Sequence, residues 1–317
     1  MSSSSGPVTV ITGGGRGIGA VTALHLAKLG HAVVLSYLED HAAAEQAVDA
    51  VRAVGSRAAA VPGDVADPDA VNTLFATAAT LGPVTGLVNN AGLTAHIGDL
   101  ADTPVEVVRR VVEVNLLGTL LCARRAAQVM STTRGGRGGA IVNVSSAAAT
   151  LGSAHEYVHY AAAKAGVEAL TVGLAKELAE QGVRVNAVAP GIVRTAIHAA
   201  AGDPGRLERI VPRIPMGRVG EPEEIASAIA WLLGPEAGYV TGDQHPNRRR
   251  PLIAWRAAAW VRRPKNSVQP AQWSRLHCGQ VAADDLDNGV VAVGGEQDGP
   301  PAGSSQRAAR RCRRCPR

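Results

Sequence analysis

A glycine-rich turn near the amino terminus constrains the fold of this chain more than any other feature. It runs from Thr12 to Gly19 with the spacing T-G-x-x-x-G-x-G. Residues 7–12 before it predict a buried strand, and Ile18 to Leu29 after it has apolar residues at helical spacing. Strand, glycine turn and helix in this order are typical of a dinucleotide site, because glycines let the backbone approach a pyrophosphate whose charge the helix N-terminus stabilises. The turn by itself is as typical of an ordinary loop.

A tyrosine and a lysine one helical turn apart predict proton chemistry further along the chain. They form the segment Tyr160-Ala161-Ala162-Ala163-Lys164, so both side chains lie on one helix face. A free phenol has a pKa of about 10, and a neighbouring cation lowers it. We therefore expect Lys164 to lower the pKa of Tyr160. Tyr157 is a competing tyrosine, but alanine stands four residues after it.

Further motifs follow in an order that resembles the short-chain dehydrogenase/reductase family over residues 7–242. Asn89-Asn90-Ala91-Gly92 ends the apolar run Gly86-Leu87-Val88, as in the family's fourth strand. Ile141 to Ser146 resembles its fifth strand with the active-site serine. Pro190 to Thr195 resembles its nicotinamide loop. The resemblance implies an NAD(P)-dependent oxidoreductase that transfers a hydride between the cofactor and a carbonyl or alcohol.

The resemblance also implies catalytic roles. Tyr160 would give a proton to the carbonyl oxygen, Ser146 would hydrogen-bond that oxygen, and Lys164 would also hold the nicotinamide ribose. Asn115 would anchor a water chain behind the lysine, although an asparagine that bonds only its helix neighbours is an alternative. Ser145 and Ser146 point to opposite faces if the strand continues through them, so one of them faces the nicotinamide. The family pattern favours Ser146, and Ser145 remains the alternative.

The cofactor residues that the resemblance implies are spread over the glycine turn and the ends of later strands. They are Thr12, Gly13, Gly15, Arg16, Gly17, Ile18, Gly19, Ser36, Tyr37, Asp64, Val65, Asn89, Ala91, Gly92, Tyr160, Lys164, Pro190, Gly191, Ile192 and Thr195. The segment Val33 to Glu39 lacks a carboxylate where an NAD enzyme would bind the ribose 2′-hydroxyl. Ser36 and Tyr37 leave room for a phosphate, and Arg16 either pairs with it or is a solvated loop residue. We favour NADP(H), with NAD as the alternative.

The expected architecture is α/β, a doubly wound parallel sheet with strand order 3-2-1-4-5-6 and, in the family, a seventh strand. The sequence predicts helices at roughly 17–29, 41–54, 67–81, 103–131, 157–181 and 221–233. Such a fold places the cofactor cleft at the carboxyl ends of the strands, where the strand order reverses.

Composition narrows the class of protein. The first six residues have neither a basic flank nor an apolar core, and no apolar run reaches the length of a membrane span, so we expect a cytoplasmic chain. Four cysteines in 317 residues argue against a disulfide framework, and Cys122 is most simply a core residue. We expect no metal. The resemblance implies a small-molecule substrate and, if the C-terminal interface survives, a homodimer or homotetramer.

Charge divides the chain into a catalytic domain, 1–243, and a basic tail, 244–317. The first carries 18 Lys+Arg against 22 Asp+Glu, and the second 14 against 5. The break replaces the family's last strand, and a reading frame slipped by one base permits the family-like ending Ile-Asp-Gly-Gly at residues 247–250. We hypothesise that the reading frame shifts near Asp243, which alters or removes the seventh strand and leaves a disordered tail. A genuine extension is the alternative.

Two rival functions and the substrate stay open. A chain without its last strand could bind the cofactor without turnover. The arginine-rich tail could attract nucleic acid, and Cys312 and Cys315 have zinc-ligand spacing with few partners. The expected lid, Ala196 to Met216 with His198, Arg206, Arg209 and Arg213, specifies no compound. Resemblance allows sugar oxidation, as in glucose dehydrogenases, or 3-oxoacyl reduction.

Overall fold

A computed structural model describes residues 6–197 and 205–242, which form a parallel sheet between two layers of helices. The six strands of this part of the chain lie in the order β3-β2-β1-β4-β5-β6, as predicted. They are β1 (Val8–Ile11), β2 (Ala32–Tyr37), β3 (Ala58–Pro62), β4 (Val84–Asn89), β5 (Gly139–Val144) and β6 (Val183–Val188). The helices are α1 (Gly17–Lys28), α2 (His41–Ala53), α3 (Pro68–Leu81), α4 (Val105–Val112), α5 (Gly118–Met130), α6 (Ala148–Leu151), α7 (Val158–Leu178), α8 (Arg206–Ile210) and α9 (Pro222–Leu233).

The central strands are apolar because helices cover both of their faces. All four residues of β1 are buried, and alternate residues of β1 belong to different cores. Val8 and Val10 pack into the core that also contains Phe75 of α3, whereas Ile11 packs into the core that contains Leu26 of α1. This two-sided burial explains why the strands are continuous hydrophobic runs rather than alternating ones. The prediction of Cys122 as a core residue agrees with its full burial in α5.

The helix predicted over 103–131 is interrupted. It divides into α4 and α5, with a π-helical turn, Glu113–Leu117, between them. Asn115 lies in this turn and is fully buried. Apolar spacing does not separate a π turn from a continuous helix, since one added residue changes the period only locally. The other predicted helices agree with the structure to within the usual uncertainty of helix ends.

The edge of β6 contacts the last described residues of the chain. The backbone amide of Gly242 donates to the carbonyl of Val185 at 2.8 Å, and the amide of Val185 donates to Thr241 Oγ1 at 3.1 Å. The Asn186 side chain donates to the carbonyl of Val240 at 2.9 Å. The chain therefore reaches the position beside β6 where a further strand would pair. The predictions for the seventh strand and the tail concern residues 243–317, which lie outside the described residues.

Among the described helices, none is long and apolar enough to cross a membrane.

Candidate active site

The glycine turn has the geometry that a pyrophosphate cradle needs. Gly13 and Gly17 have φ values of +61° and +54°, which L side chains rarely adopt. A Cβ atom at Gly19 would lie 2.5 Å from the Gly13 carbonyl oxygen, so the first turn of α1 packs directly on the loop. Arg16 precedes α1 and is exposed. The free N–H groups of this helix start are a site for an anion, so the residues present fit a dinucleotide.

The turn is fixed against the end of β4. Thr12 Oγ1 accepts hydrogen bonds from the backbone amides of Asn90 and Ala91, each at 3.0 Å. Asn90 Nδ2 donates to the carbonyls of Thr12 and Gly13, each at 2.9 Å. These four bonds join the two strands on either side of the point where the strand order reverses, which holds the cradle in one position.

A cleft of about 610 Å³ opens at this end of the sheet. It brings together 18 of the predicted site residues: Gly13, Gly15, Arg16, Gly17, Ile18, Ser36, Tyr37, Asp64, Val65, Ala91, Gly92, Ser146, Tyr160, Lys164, Pro190, Gly191, Ile192 and Thr195. The predicted residues Thr12, Gly19, Asn89 and Asn115 do not line it.

Asn89 is turned away from the cleft, contrary to expectation. Its side chain is buried, and Nδ2 donates to Asn143 Oδ1 at 2.8 Å. Because side chains of a strand alternate between faces, the residue that reaches the cleft is its neighbour Asn90. Thr12 and Gly19 support the cradle from behind.

The end of β2 and the loop after β3 form the outer part of the cleft. The Ser36 hydroxyl accepts a hydrogen bond from the amide of Gly13 at 3.3 Å. Asp64 Oδ1 accepts a hydrogen bond from the Ala66 amide at 2.9 Å, and Asp64 Oδ2 forms an ion pair with Arg110 of α4 at 2.6 Å. Arg110 also lines the cleft, and sequence reasoning missed it because nothing in α4 marks it as facing Asp64.

The two serines after β5 point in different directions, as the strand pattern predicts. Ser145 is buried, and its hydroxyl donates to Glu168 Oε1 at 3.0 Å. Ser146 lines the cleft and hydrogen-bonds the phenol of Tyr160. Ser146 is therefore the serine that meets the predicted proton donor.

Tyr160 and Lys164 lie together at the inner end of the cleft. Lys164 Nζ is 5.7 Å from the centre of the Tyr160 ring and donates to the carbonyl of Val144 at 2.8 Å. Burial lowers the pKa of Lys164 to about 8. Tyr157, the competing tyrosine, stands edge-on to Tyr160, with ring centres 5.5 Å apart.

The expectation of a lowered tyrosine pKa is wrong for this structure. Burial raises the pKa of Tyr160 to about 12; the hydrogen bond with Ser146 opposes this increase, and Tyr157 adds to it. Withdrawal of the phenol from water disfavours the phenolate more than its neighbours favour it. Helical spacing predicted the Tyr160–Lys164 contact but carried no measure of burial.

Asn115 lies behind the site. Its Nδ2 donates to the carbonyls of Leu93 at 2.8 Å and Val111 at 2.9 Å, while its buried Oδ1 has no hydrogen-bond partner. A Cβ atom at Gly92 would lie 2.7 Å from that oxygen and 3.5 Å from Lys164 Nζ. Only a glycine at this position lets the Asn115 oxygen, the loop and the lysine approach so closely.

Part of the expected lid lies outside the described residues, including His198. Ala196 and Ile197 line the cleft, and Arg213 lies in a short 3₁₀ helix after α8. Among the described residues there is no group of three or more His, Cys, Asp or Glu that could hold a metal ion.

The fold and the site together define a class of protein, a nicotinamide-cofactor oxidoreductase with a Rossmann-type sheet. A family model described as enoyl-(acyl carrier protein) reductase matches residues 13–246. The chain belongs to the short-chain dehydrogenase/reductase family, whose members are NAD(P)-dependent dehydrogenases and reductases.

Individual relatives agree with this assignment. The chain is 43% identical over 236 residues to an uncharacterized oxidoreductase, YgfF, of Escherichia coli, covering 74% of this chain and 96% of the relative. It is 39% identical over 239 residues to L-rhamnose 1-dehydrogenase (NAD(P)(+)) of a Sphingomonas species, covering 75% and 92%. A crystal structure of a dehydrogenase/reductase from Sinorhizobium meliloti superimposes with a TM-score of 0.68 at 34% identity, covering 75% of this chain and 91% of the other.

Proposed function

We propose that this chain interconverts an alcohol and its carbonyl compound with NADP(H), and that Tyr160 is the proton donor and acceptor. The observation that supports this most is the hydrogen bond between Ser146 and the Tyr160 phenol, with Lys164 Nζ 5.7 Å from the centre of the same ring, at the inner end of the cleft. The bound nicotinamide supplies the hydride, and the protein supplies position, proton and electrostatics.

The proton step follows from the environment of Tyr160. A pKa of about 12 keeps the phenol protonated near neutrality, so it is ready to give its proton to the carbonyl oxygen during reduction. The Ser146 hydroxyl, already bonded to that phenol, holds the same substrate oxygen. The nearby Lys164 ammonium stabilises the phenolate that remains.

Two further roles concern groups behind the tyrosine. Lys164 lines the cleft, where its ammonium would also hold the nicotinamide ribose. Asn115 anchors a water chain that returns a proton toward Lys164; its unpartnered Oδ1 beside Gly92 supports this role.

The preference for NADP(H) rests on the outer part of the cleft. Ser36 occupies the end of β2 with a small neutral side chain, and the exposed Arg16 lies at the same end. Glu39 and Asp40 line this region too, but the Asp40 carboxylate accepts the Ala43 amide at 3.0 Å and caps α2. NAD remains the second candidate because of these carboxylates.

A spectrophotometric screen tests the reaction class. The purified chain is incubated with NADPH and a set of ketones and aldehydes, and with NADP and a set of alcohols, while the nicotinamide absorbance is followed. We expect turnover in both directions. NADPH binding without turnover of any compound would favour the rival function, a cofactor-binding protein without catalysis.

A further inference from the structure

Two segments next to Tyr160 are tied into one structure, which we call the substrate wall. It consists of residues 93–99, after β4, and residues 152–159, which lead into α7. Three hydrogen bonds join them. His159 Nε2 bonds the Thr94 carbonyl at 3.2 Å, the Gly98 amide donates to the Glu156 carbonyl at 2.8 Å, and His155 Nδ1 bonds Asp99 Oδ1 at 2.7 Å.

Of the three bonds, the one between His159 and Thr94 is buried and determines how the two segments are held together. His159 is 4% exposed, and because a carbonyl only accepts, its Nε2 must donate to Thr94. This bond fixes the distance between the loop after β4 and the helix that carries Tyr160. His159 itself does not line the cleft, so it acts on the cleft through Thr94 and Ala95, which do.

The backbone of the wall is strained. Among the described residues, three that are not glycine have positive φ values, namely Ala95 (+58°), Ser153 (+50°) and His155 (+62°). All three lie in the wall. Left-handed conformations of such residues persist only where the surroundings enforce them, and they cluster at functional sites. The hydrogen bonds between the two segments provide that enforcement.

The surface that the wall presents beside Tyr160 is mainly apolar. Leu93, Ala95 and Ile97 pack around Tyr157 and Tyr160 in a small hydrophobic cluster, and Leu93 also packs against one of the main cores. Leu93, Ala95 and Tyr157 line the cleft, as does Thr94, which is 4% exposed, whereas the polar side chains of Asp99, His155 and His159 are used in the bonds between the segments and do not line it. Binding of a substrate with an apolar group next to the reacting carbon is more favourable because that group covers this surface and removes it from water.

We propose that the substrate wall selects alcohols and ketones with an apolar ring beside the reacting carbon, such as alicyclic secondary alcohols, over sugars. Ala95 determines the space for the ring, and His159 is a positioning residue that holds the wall. This inference rests on the proposed oxidoreductase function and adds its substrate class.

Binding can be measured without turnover. Cyclohexanecarboxamide and acetamide share an amide that mimics the carbonyl and differ in the ring. Each is titrated into the complex with NADPH while the nicotinamide fluorescence is followed. Burial of a methylene group is worth about fourfold in affinity, so we expect the ring compound to bind at least ~10-fold more tightly. Equal affinities would overturn the proposal, whether or not any alcohol is oxidised.

Catalytic selectivity is then compared for cyclohexanol and L-rhamnose with NADP. We expect a higher kcat/KM for cyclohexanol. A preference for the sugar would contradict the substrate class while supporting the oxidoreductase function. Failure to turn over any compound would contradict the proposed function, and the amide titration would still decide whether the wall binds apolar rings.

Substitution of the wall provides the second test. Ala95→Leu should reduce kcat/KM for cyclohexanol at least ~10-fold, the loss of roughly two buried methylene groups, and should change that for 2-propanol much less. Ala53→Leu, on the exposed end of α2, is the matched control. An equal loss for both alcohols would mean that Ala95 does not set the space for the ring.

His159 is tested by comparing the KM for cyclohexanol with the Kd of NADPH. His159→Leu, which cannot donate to Thr94, should raise KM for cyclohexanol several-fold and leave the Kd of NADPH unchanged. His159→Gln, which can still donate, should recover part of the loss, and His25→Leu in α1 is the remote control. A loss of NADPH affinity in His159→Leu would assign the residue a general structural role instead.

Discussion

Tyr160 and Tyr157 form a matched pair for testing the proton donor, because both are buried in the same cluster and only Tyr160 is followed four residues later by a lysine. Tyr160→Phe removes the phenol hydroxyl, so we expect reduction to fall by at least ~10²-fold with little change in NADPH affinity. Tyr157→Phe should retain most of the turnover. Stopped-flow reduction and fluorescence titration measure the two quantities, and substantial turnover in Tyr160→Phe would refute the assignment.

The pH dependence of reduction should follow the ionisation of the Lys164 ammonium. Its pKa is lowered to about 8, so the ammonium is charged below this pH and neutral above it. The phenol stays protonated throughout this range. We therefore expect kcat/KM for reduction to be constant near neutrality and to fall as the pH rises through about 8, because the phenolate left after proton transfer loses its neighbouring charge.

Lys164→Arg provides the control for this assignment, since a guanidinium keeps its charge across the range. The alkaline decline should move to higher pH in this variant even where turnover is reduced. An unchanged decline would assign it to another group.

Cofactor preference should respond to Ser36 at the end of β2. Ser36→Asp introduces a carboxylate that repels a 2′-phosphate and accepts from a 2′-hydroxyl, so we expect the ratio of Kd values to shift toward NAD by at least ~10-fold. Ser56→Asp, remote from the cleft, controls for the added charge. The proposed NADP(H) preference is wrong if the unaltered chain already binds NAD more tightly.

At the residue level the sequence predicted most of the cleft, and its errors have physical causes. The spacing of Tyr160 and Lys164 was sufficient because helix geometry fixes which side chains meet. Asn89 was misplaced because the motif does not reveal the residue at which strand alternation ends. The raised pKa of Tyr160 was not predicted, because it comes from burial, and burial depends on segments distant in sequence such as the wall around Tyr157.

At the level of elements, α1 and α7 contain glycines that should respond to alanine in opposite ways. A Cβ atom at Gly19 would lie 2.5 Å from the Gly13 oxygen, whereas at the exposed Gly173 it meets nothing within 4 Å. Gly173→Ala should raise stability by about 0.4–1 kcal/mol, because alanine reduces the entropy of the unfolded chain. Gly19→Ala should lower both stability and NADPH affinity.

Thermal unfolding and cofactor titration of the two variants check this prediction. If Gly19→Ala left stability and NADPH affinity unchanged, the loop could move away from α1 and the cradle would not be rigid.

Strand order and helix positions were predictable from apolar runs and glycine breaks. The π turn was not, because it serves the packing of Asn115 behind Gly92 rather than any pattern in the helix itself.

For the whole molecule, the edge of β6 connects folding with the unusual end of the chain. One backbone hydrogen bond already joins Gly242 and Val185, so a family-like strand could continue from there. We predict that residues 1–242 followed by a repaired ten-residue ending melt at least about 4 °C higher than the full chain, a gain of roughly 1–2 kcal/mol. The repaired chain should also aggregate less, because an unpaired edge is a site of association.

Calorimetry, light scattering and limited proteolysis compare the two proteins. We expect the repaired form to be a homodimer or homotetramer and the extra residues of the full chain to be cleaved rapidly. Equal melting temperatures together with a protease-resistant tail would contradict the frameshift hypothesis and make the tail a genuine extension.

The position of β1 in the sheet also affects how the protein is made. β1 pairs with β2 on one side and β4 on the other, and later strands add outward from β4. During synthesis the strands on either side of the glycine cradle are therefore present once Asn89 has left the ribosome, but Ile225 and Ile229 of α9, which share a core with Leu26 of α1, are added last. We therefore expect nucleotide affinity to appear only in chains that extend through α9, and NADPH binding by a chain that ends soon after Asn89 would contradict this expectation.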